Sequence, residues 1–261
     1  MIIVLPYNKG HLQEARVDQG PKAVLEQAKE IYASEEGKKF EIKTETIELD
    51  TKDFEKFQKE LIEKLKKKFQ NANEKILILG GDHSLTYCAI KAFYTLQGKK
   101  GIVWIDAHPD ATNFFKPVSH EDVIRVLIEE GVKGEDIFMA CIRDYDPKEY
   151  EFVKKHIKHL YRMRDIFKIG FHNFLENLKK FLQDKDLVYV SFDIDAVDPA
   201  FAPGTYWKDP GGITAREAIE LVNLLKKYAK FMDIVEIEPN LDKDDITSLL
   251  AAKLLVEFIT E

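Results

Sequence analysis

Two cysteines in 261 residues, Cys88 and Cys141, each isolated among apolar neighbours, leave no material for a disulfide framework or a thiolate metal site. Long apolar runs are missing as well. No stretch reaches the roughly 18–20 residues that a membrane span requires. The opening MIIVLPYNKG offers four apolar residues between Met1 and Pro6, too few for the core of a signal peptide. Positive charge is not in excess either: 39 Lys and Arg stand against 46 Asp and Glu, a formal −7. That balance excludes a general attraction to nucleic acid or to an anionic membrane. There is no internal repeat and no low-complexity linker. The glycine pairs at 80–81 and 211–212 lack the Gly-Lys-Ser/Thr that a phosphate loop needs. Together these absences predict a cytoplasmic protein in a reducing setting, with neither nucleic acid nor membrane as partner.

What is present is an ordinary globular composition, 45% hydrophobic and 33% charged, with short β-branched runs alternating with helical patterns. Strands are expected at 2–5, 41–48, 76–79, 102–105, 137–141, 157–161, 188–192 and 232–236. Helices are expected at 21–35, 52–69, 84–96, 121–130, 147–155, 171–183, 214–229 and 245–259. Thr214 with Glu217 reads as a capping box, and Pro21 and Pro147 suit first helical positions. This alternation predicts an α/β fold, a doubly wound parallel sheet of about eight strands in one domain over 1–261. A (β/α)₈ barrel has the same alternation. Both folds place function at the carboxyl ends of the strands.

Chemistry collects at those ends. Asp82 and His83 follow the strand at 76–79; Asp106, His108 and Asp110 follow 102–105; Asp193, Asp195 and Asp198 follow 188–192; Glu236 and Glu238 follow 232–236. Crowding so many carboxylates at one rim is costly unless cations are present, and two divalent ions would relieve it. Alternate residues at 106, 108 and 110 can converge as an extended chain leaves a sheet. An oxygen-rich set with two imidazoles and no thiolate favours Mn²⁺ or a similar ion over a closed structural zinc site. Asp82 and Asp198 read as turn-holding residues, and Trp104 and Phe192 as core.

The motifs GGDHS at 80–84, DAHPD at 106–110, SFDIDAVDPAFAPGT at 191–205, GGIT at 211–214 and DIVEIEP at 233–239 resemble, in this order, those of the arginase/agmatinase (ureohydrolase) family. The resemblance implies an open eight-stranded parallel sheet rather than a barrel. It implies two manganese ions, one held by His83, Asp106, Asp110 and Asp193, the other by Asp106, His108, Asp193 and Asp195. Glu236 matches the family's guanidinium-holding glutamate, and His120 a loop histidine that assists proton transfer. Asp110 would pass a proton to the leaving amine. Asp146 and Glu149 match residues that help read the substrate's amino-acid end. The implied reaction is hydrolysis of a small linear guanidino substrate to urea and an amine, with agmatine ahead of arginine. Guanidinobutyrate or formiminoglutamate hydrolysis, and a catalytically silent metal-binding role, are the alternatives. A homo-oligomer, trimer or hexamer, is implied as well.

Three departures from the pattern stand out. Glu121 follows His120 where glycine is usual. The loop ATNFFKPVS at 111–119 is short, and its Phe114 and Phe115 predict an apolar pocket wall. Glu238 replaces a small residue or Asn; it is expected to face solvent, the alternative being an added carboxylate that favours a cationic substrate.

Overall fold

The computed structural model describes residues 1–50, 52–113 and 115–260. Strands β1 (Ile2–Leu5), β3 (Ile76–Gly80), β4 (Lys100–Ile105), β5 (Ile137–Ile142), β7 (Leu187–Asp193) and β8 (Phe231–Val235) are buried almost throughout, while β2 (Thr44–Thr46) and β6 (His159–Arg162) are more open. The helices are α1 (Gly20–Ala28), α2 (Phe54–Gln70), α3 (Ser84–Phe93), α4 (Val123–Glu129), α5 (Pro147–His156), α6 (Met163–Ile169), α7 (Phe171–Leu182), α8 (Ala215–Leu225) and α9 (Ile246–Ile259).

The eight strands form one sheet in the order β2-β1-β3-β8-β7-β4-β5-β6, every pairing parallel. β2 and β6 lie at opposite edges, so the sheet is open and the barrel alternative falls. The continuous apolar runs of the central strands follow from burial on both faces. Alternate side chains divide between two cores. Ile2, Leu77, Val103, Val190 and Ile234 pack with α1, α7, α8 and α9 on one face. Ile3, Ile78, Trp104, Tyr189 and Phe231 pack with α2, α3 and α4 on the other. Trp104 and Phe192 are fully buried, as expected. Among the described residues no helix is long and apolar enough to cross a membrane.

Side-chain caps mark the starts of α2, α5 and α8. Asp53 caps α2 by accepting from Lys56 N–H, and Phe57, Leu61, Leu65 and Phe69 form its buried stripe. Capping boxes open α5 (Asp146/Glu149) and α8 (Thr214/Glu217). The edge strands differ from expectation: β2 spans Thr44–Thr46 rather than 41–48, pairing with β1 at three positions only. α1 stops at Ala28 rather than near 35, where the chain turns through Ser34–Gly37. α6 was not expected from the sequence. It buries only Ile166 and ends at Gly170, whose φ of 80° breaks the helix.

The order of the strands decides where function sits. β3, β8, β7 and β4 are consecutive neighbours at the centre of the sheet, and they are the four strands followed by the Asp, His and Glu clusters.

Candidate active site

At the end of β3 the chain passes under β1 so closely that a Cβ on Gly81 would lie 1.8 Å from the Tyr7 carbonyl oxygen. Asp82 is fully buried and accepts from the N–H groups of Gly10 (3.0 Å) and Ser84 (2.9 Å). It holds the turn, as the sequence suggested. Asp198 does the same elsewhere, accepting from Ala200, Gly211 and Gly212 N–H.

His83 follows at the start of α3, its ring stacked on Trp104 with centroids 4.2 Å apart. Its Nδ1 lies 3.2, 3.0 and 3.3 Å from single oxygens of Asp106, Asp110 and Asp193. Its Nε2 lies 2.8 Å from Ser191 Oγ, and the Ser191 hydroxyl donates to Asp233 (2.8 Å). With its one proton committed to Asp233, the hydroxyl accepts from His83 Nε2–H. That fixes the tautomer and leaves the Nδ1 lone pair facing three carboxylates.

Three aspartates are prepared in the same way. Asp106 Oδ1 accepts His108 N–H (2.7 Å), Asp193 Oδ1 accepts Asp195 N–H (2.9 Å), and Asp195 Oδ1 accepts Ala107 N–H (3.1 Å). Each Oδ2 then turns into the cluster, where His108 Nδ1 is 3.0 Å from Asp195 Oδ2. Two donor groups result, His83/Asp106/Asp110 and Asp106/His108/Asp195, sharing Asp106, with Asp193 beside the first.

The electrostatics call for cations. His83 Nδ1 and Asp106 Oδ2 are buried without a hydrogen-bond partner. Burial and the neighbouring Asp106 charge push the Asp110 carboxyl up to about 7. Burial, Asp195 and Asp106 push Asp193 well above the ordinary carboxylate value. Burial opposes ionisation of His83 too, but its three carboxylate neighbours outweigh that and raise its pKa well above normal. Metal-free, the cluster must therefore hold protons where lone pairs converge, and divalent ions would replace them. Oxygen and imidazole donors, orphaned and convergent, fit two such ions.

Glu236, the residue after β8, has φ of 64°, and Asp110 shares the left-handed region at φ 45°; strain of this kind collects at functional sites. Glu236 N–H donates to Gly81 O (2.9 Å), and its Oε1 accepts His83 N–H at 2.7 Å. His120 Nδ1 stands 3.6 Å from Oε1 and His11 Nε2 3.4 Å from Oε2. The two imidazoles stack with centroids 4.2 Å apart. Burial raises the Glu236 pKa, but the His11 and His120 contacts outweigh it and hold the carboxyl well below its usual value. Burial likewise lowers His120, yet Glu236 overrides it and lifts that imidazole to about 9.

A cavity of about 470 Å³ opens over these groups. Its floor includes His83, His108, Asp110, Asp193, Asp195, His120 and Glu236; its wall includes Thr112, Glu121, Asp144, Tyr145, Asp146, Tyr206 and Trp207. No Lys or Arg lines it among the described residues. Asp146 and Glu149 reach the cavity, but their carboxylates serve the α5 capping box, and Glu149 also accepts Ala111 N–H at 3.0 Å.

Two expectations fail. Glu238 does not face solvent: it is 3% exposed and accepts from the N–H groups of Arg16 and Asn240. Phe115 is absent from the cavity wall and borders a separate groove with Gln58 and Tyr87, because Asp122 accepts its N–H and turns the loop away. Phe114 lies outside the described residues. The aromatic wall comes from Tyr145, Tyr206 and Trp207 instead. Sequence reasoning also missed His11, Ser191, Asp209 and Asp233. For His11 a signal existed in the topology: β1 neighbours β3, so the loop leaving β1 must cross the site.

The Arginase family model matches residues 1–260. An arginase of Staphylococcus aureus (strain MRSA252) is 32% identical over 204 residues, covering 71% of this chain and 67% of the relative. A formimidoylglutamase of Bacillus subtilis (strain 168) is 33% identical over 187 residues, 69% of this chain and 59% of the relative. The crystal structure of formimidoylglutamase from Bacillus subtilis superposes with a TM-score of 0.92 at 25% identity, covering 99% of this chain and 85% of that one. The relatives thus carry two different activities. On the whole-chain match and this site, the chain belongs to the arginase family and is a metal-dependent hydrolase of the kind that cleaves C–N bonds of linear amidines.

Proposed function

We propose that the chain, acting as one catalytic domain, hydrolyses a linear guanidino amine to urea and an amine with two Mn²⁺ ions, and that it prefers agmatine to arginine. The observation that carries the substrate preference is the charge of the cavity wall. Glu121, Asp144 and Asp146 line it together with three aromatic rings, and no Lys or Arg does among the described residues. Arg143, near in sequence, spends its guanidinium on the carbonyls of Asp195, Ala196 and Asp209. Such a wall suits a cationic tail, and among the described residues gives a substrate carboxylate no Lys or Arg to pair with. Aromatic faces add cation–π attraction. The same charge disfavours formimidoylglutamate, a substrate with carboxylates.

His83, Asp106, Asp110 and Asp193 would hold one ion, and Asp106, His108, Asp193 and Asp195 the other. The chemistry two such ions would supply there is acidification of water for attack on an amidino carbon. Glu236 is kept ionised by its two histidines and by His83 N–H. It would therefore pair with the planar guanidinium through charge-assisted hydrogen bonds. Asp110, which lines the cavity beside His83, is placed to take a proton and return it to the leaving amine. His120, against Glu236 and at the cavity, is placed to relay further protons between the site and solvent.

The test is product release from agmatine, arginine, 4-guanidinobutyrate and formimidoylglutamate by Mn²⁺-loaded protein, with bound metal counted in the same sample. We expect urea from agmatine with a kcat/KM at least about tenfold above that for arginine, the equivalent of about 1.4 kcal/mol. Formamide from formimidoylglutamate as the dominant product would overturn the guanidino assignment. Two bound ions without turnover of any of the four would mark a silent family member.

A further inference from the structure

We propose that Asp209 is a positioning residue for the metal ligand His108, and that it sets the affinity of the ion His108 holds. This rests on the two-ion reading of the site. His108 Nε2 lies 3.0 Å from Asp209 Oδ2. A carboxylate at that distance accepts, so Nε2 is the donor to Asp209, and Nδ1, which faces Asp195 Oδ2 at 3.0 Å, is the nitrogen that would offer its lone pair to an ion. Ser191, backed by Asp233, does the corresponding work for His83. The two imidazoles are thus oriented by different means: His83 by a buried hydroxyl, His108 by a half-buried anion on a loop.

The loop is built to hold that anion in place. Arg143 Nε and Nη2 donate to the Asp209 carbonyl at 3.0 and 2.8 Å, and Nη2 also to Asp195 O at 2.6 Å. One guanidinium therefore ties the backbone of Asp209 to the backbone of a metal-site aspartate. Asp198 clamps the same loop from its far end through Gly211 and Gly212 N–H. Because Arg143 grips the carbonyl and not the carboxylate, replacing the Asp209 side chain leaves the tether intact. A carboxylate on the outer nitrogen fixes the ring and makes the inner nitrogen a stronger donor, and its loss typically weakens metal binding 10- to 100-fold.

The experiment is Mn²⁺ titration of wild type, Asp209→Ala, Asp209→Asn, His108→Ala and the His108→Ala/Asp209→Ala double variant, each counted for bound metal against a graded chelator. The wild type should bind two ions. Asp209→Ala should bind one ion as wild type does and the other about 10- to 100-fold more weakly. Asp209→Asn, which keeps an acceptor without the charge, should recover part of the loss. In the His108→Ala background the Asp209 substitution should have no further effect, whereas a loop that merely collapses would weaken binding there too. Unchanged affinity for both ions, equal loss at both, or additive losses with His108→Ala would overturn the assignment. A wild type with a single ion would instead refute the two-ion reading. The role of Asp209 would still be read from whether that ion weakens through His108.

Discussion

Glu236 shows how much of a residue's behaviour is set by what encircles it. Its carboxylate receives His83 N–H and lies between two imidazoles, so its charge is assured well below neutral pH. Glu236→Gln preserves shape and the hydrogen bond from His83 but removes the charge. It should therefore retain both ions while kcat/KM for a guanidino substrate falls about 100-fold, the worth of a charge-assisted pair of about 3 kcal/mol. Metal counting beside steady-state kinetics checks this; wild-type turnover would remove Glu236 from the substrate site. The aspartates and His83 were legible in the sequence because each lies within a few residues of a buried strand, where direction and position are dictated by the pleat. His11 and Asp209 were not, because each reaches the site from a loop whose path depends on long-range contacts: Gly10 N–H on Asp82 for one, the Arg143 fork for the other. Glu238 illustrates the opposite error, a charged side chain assigned to solvent but buried as an acceptor for backbone N–H groups.

At the scale of elements, the central strands were readable from their unbroken apolar runs, and the edges were not. β2 and β6 pair on one side only and bury little, so apolar pattern specifies them weakly. α6, with one buried residue, offers no periodicity to read. The turn from β3 into α3 is the element on which the site most depends. It carries Asp82 and His83, its Gly81 carbonyl receives Glu236 N–H, and Asp82 receives the N–H groups of Tyr7's loop neighbour Gly10 and of Ser84. Gly81→Ala would drive a methyl group into the Tyr7 carbonyl. We expect a loss of about 3 kcal/mol or more, in the upper range for overpacking because the obstacle is backbone. Since the displaced turn carries His83, the variant should also bind metal more weakly. Denaturant unfolding of metal-free protein and Mn²⁺ counting test the two halves of that expectation, and wild-type values in both would show that the crossing can widen freely.

For the molecule as a whole, the central sheet strands converge on a cluster that is stable only when its charge is met, so metal, protons and folding are one linked equilibrium. The sign follows from the groups involved. Asp110 has a folded pKa of about 7 against an ordinary 3.8, and His120 about 9 against 6.5. In both cases the metal-free folded state binds more protons than the unfolded chain, so its stability falls as pH rises, over 3.8–7 for the first and 6.5–9 for the second. Glu236 acts oppositely, its folded pKa being depressed, but its contribution is already complete above its unfolded value of 4.5. Metal binding runs the other way, because ions must displace the protons held by Asp110 and the histidines and so bind more tightly as pH rises. Removing Mn²⁺ should therefore lower Tm by an amount that grows between about pH 6 and pH 8. Near pH 8, ions at about a thousand times their Kd would contribute about 4 kcal/mol per site. Thermal unfolding of metal-free and Mn²⁺-loaded protein across that range measures the gap directly. A gap that stays constant or narrows with pH would mean that the aspartate and histidine cluster does not exchange protons for metal, and the convergence of four strands would then need another explanation.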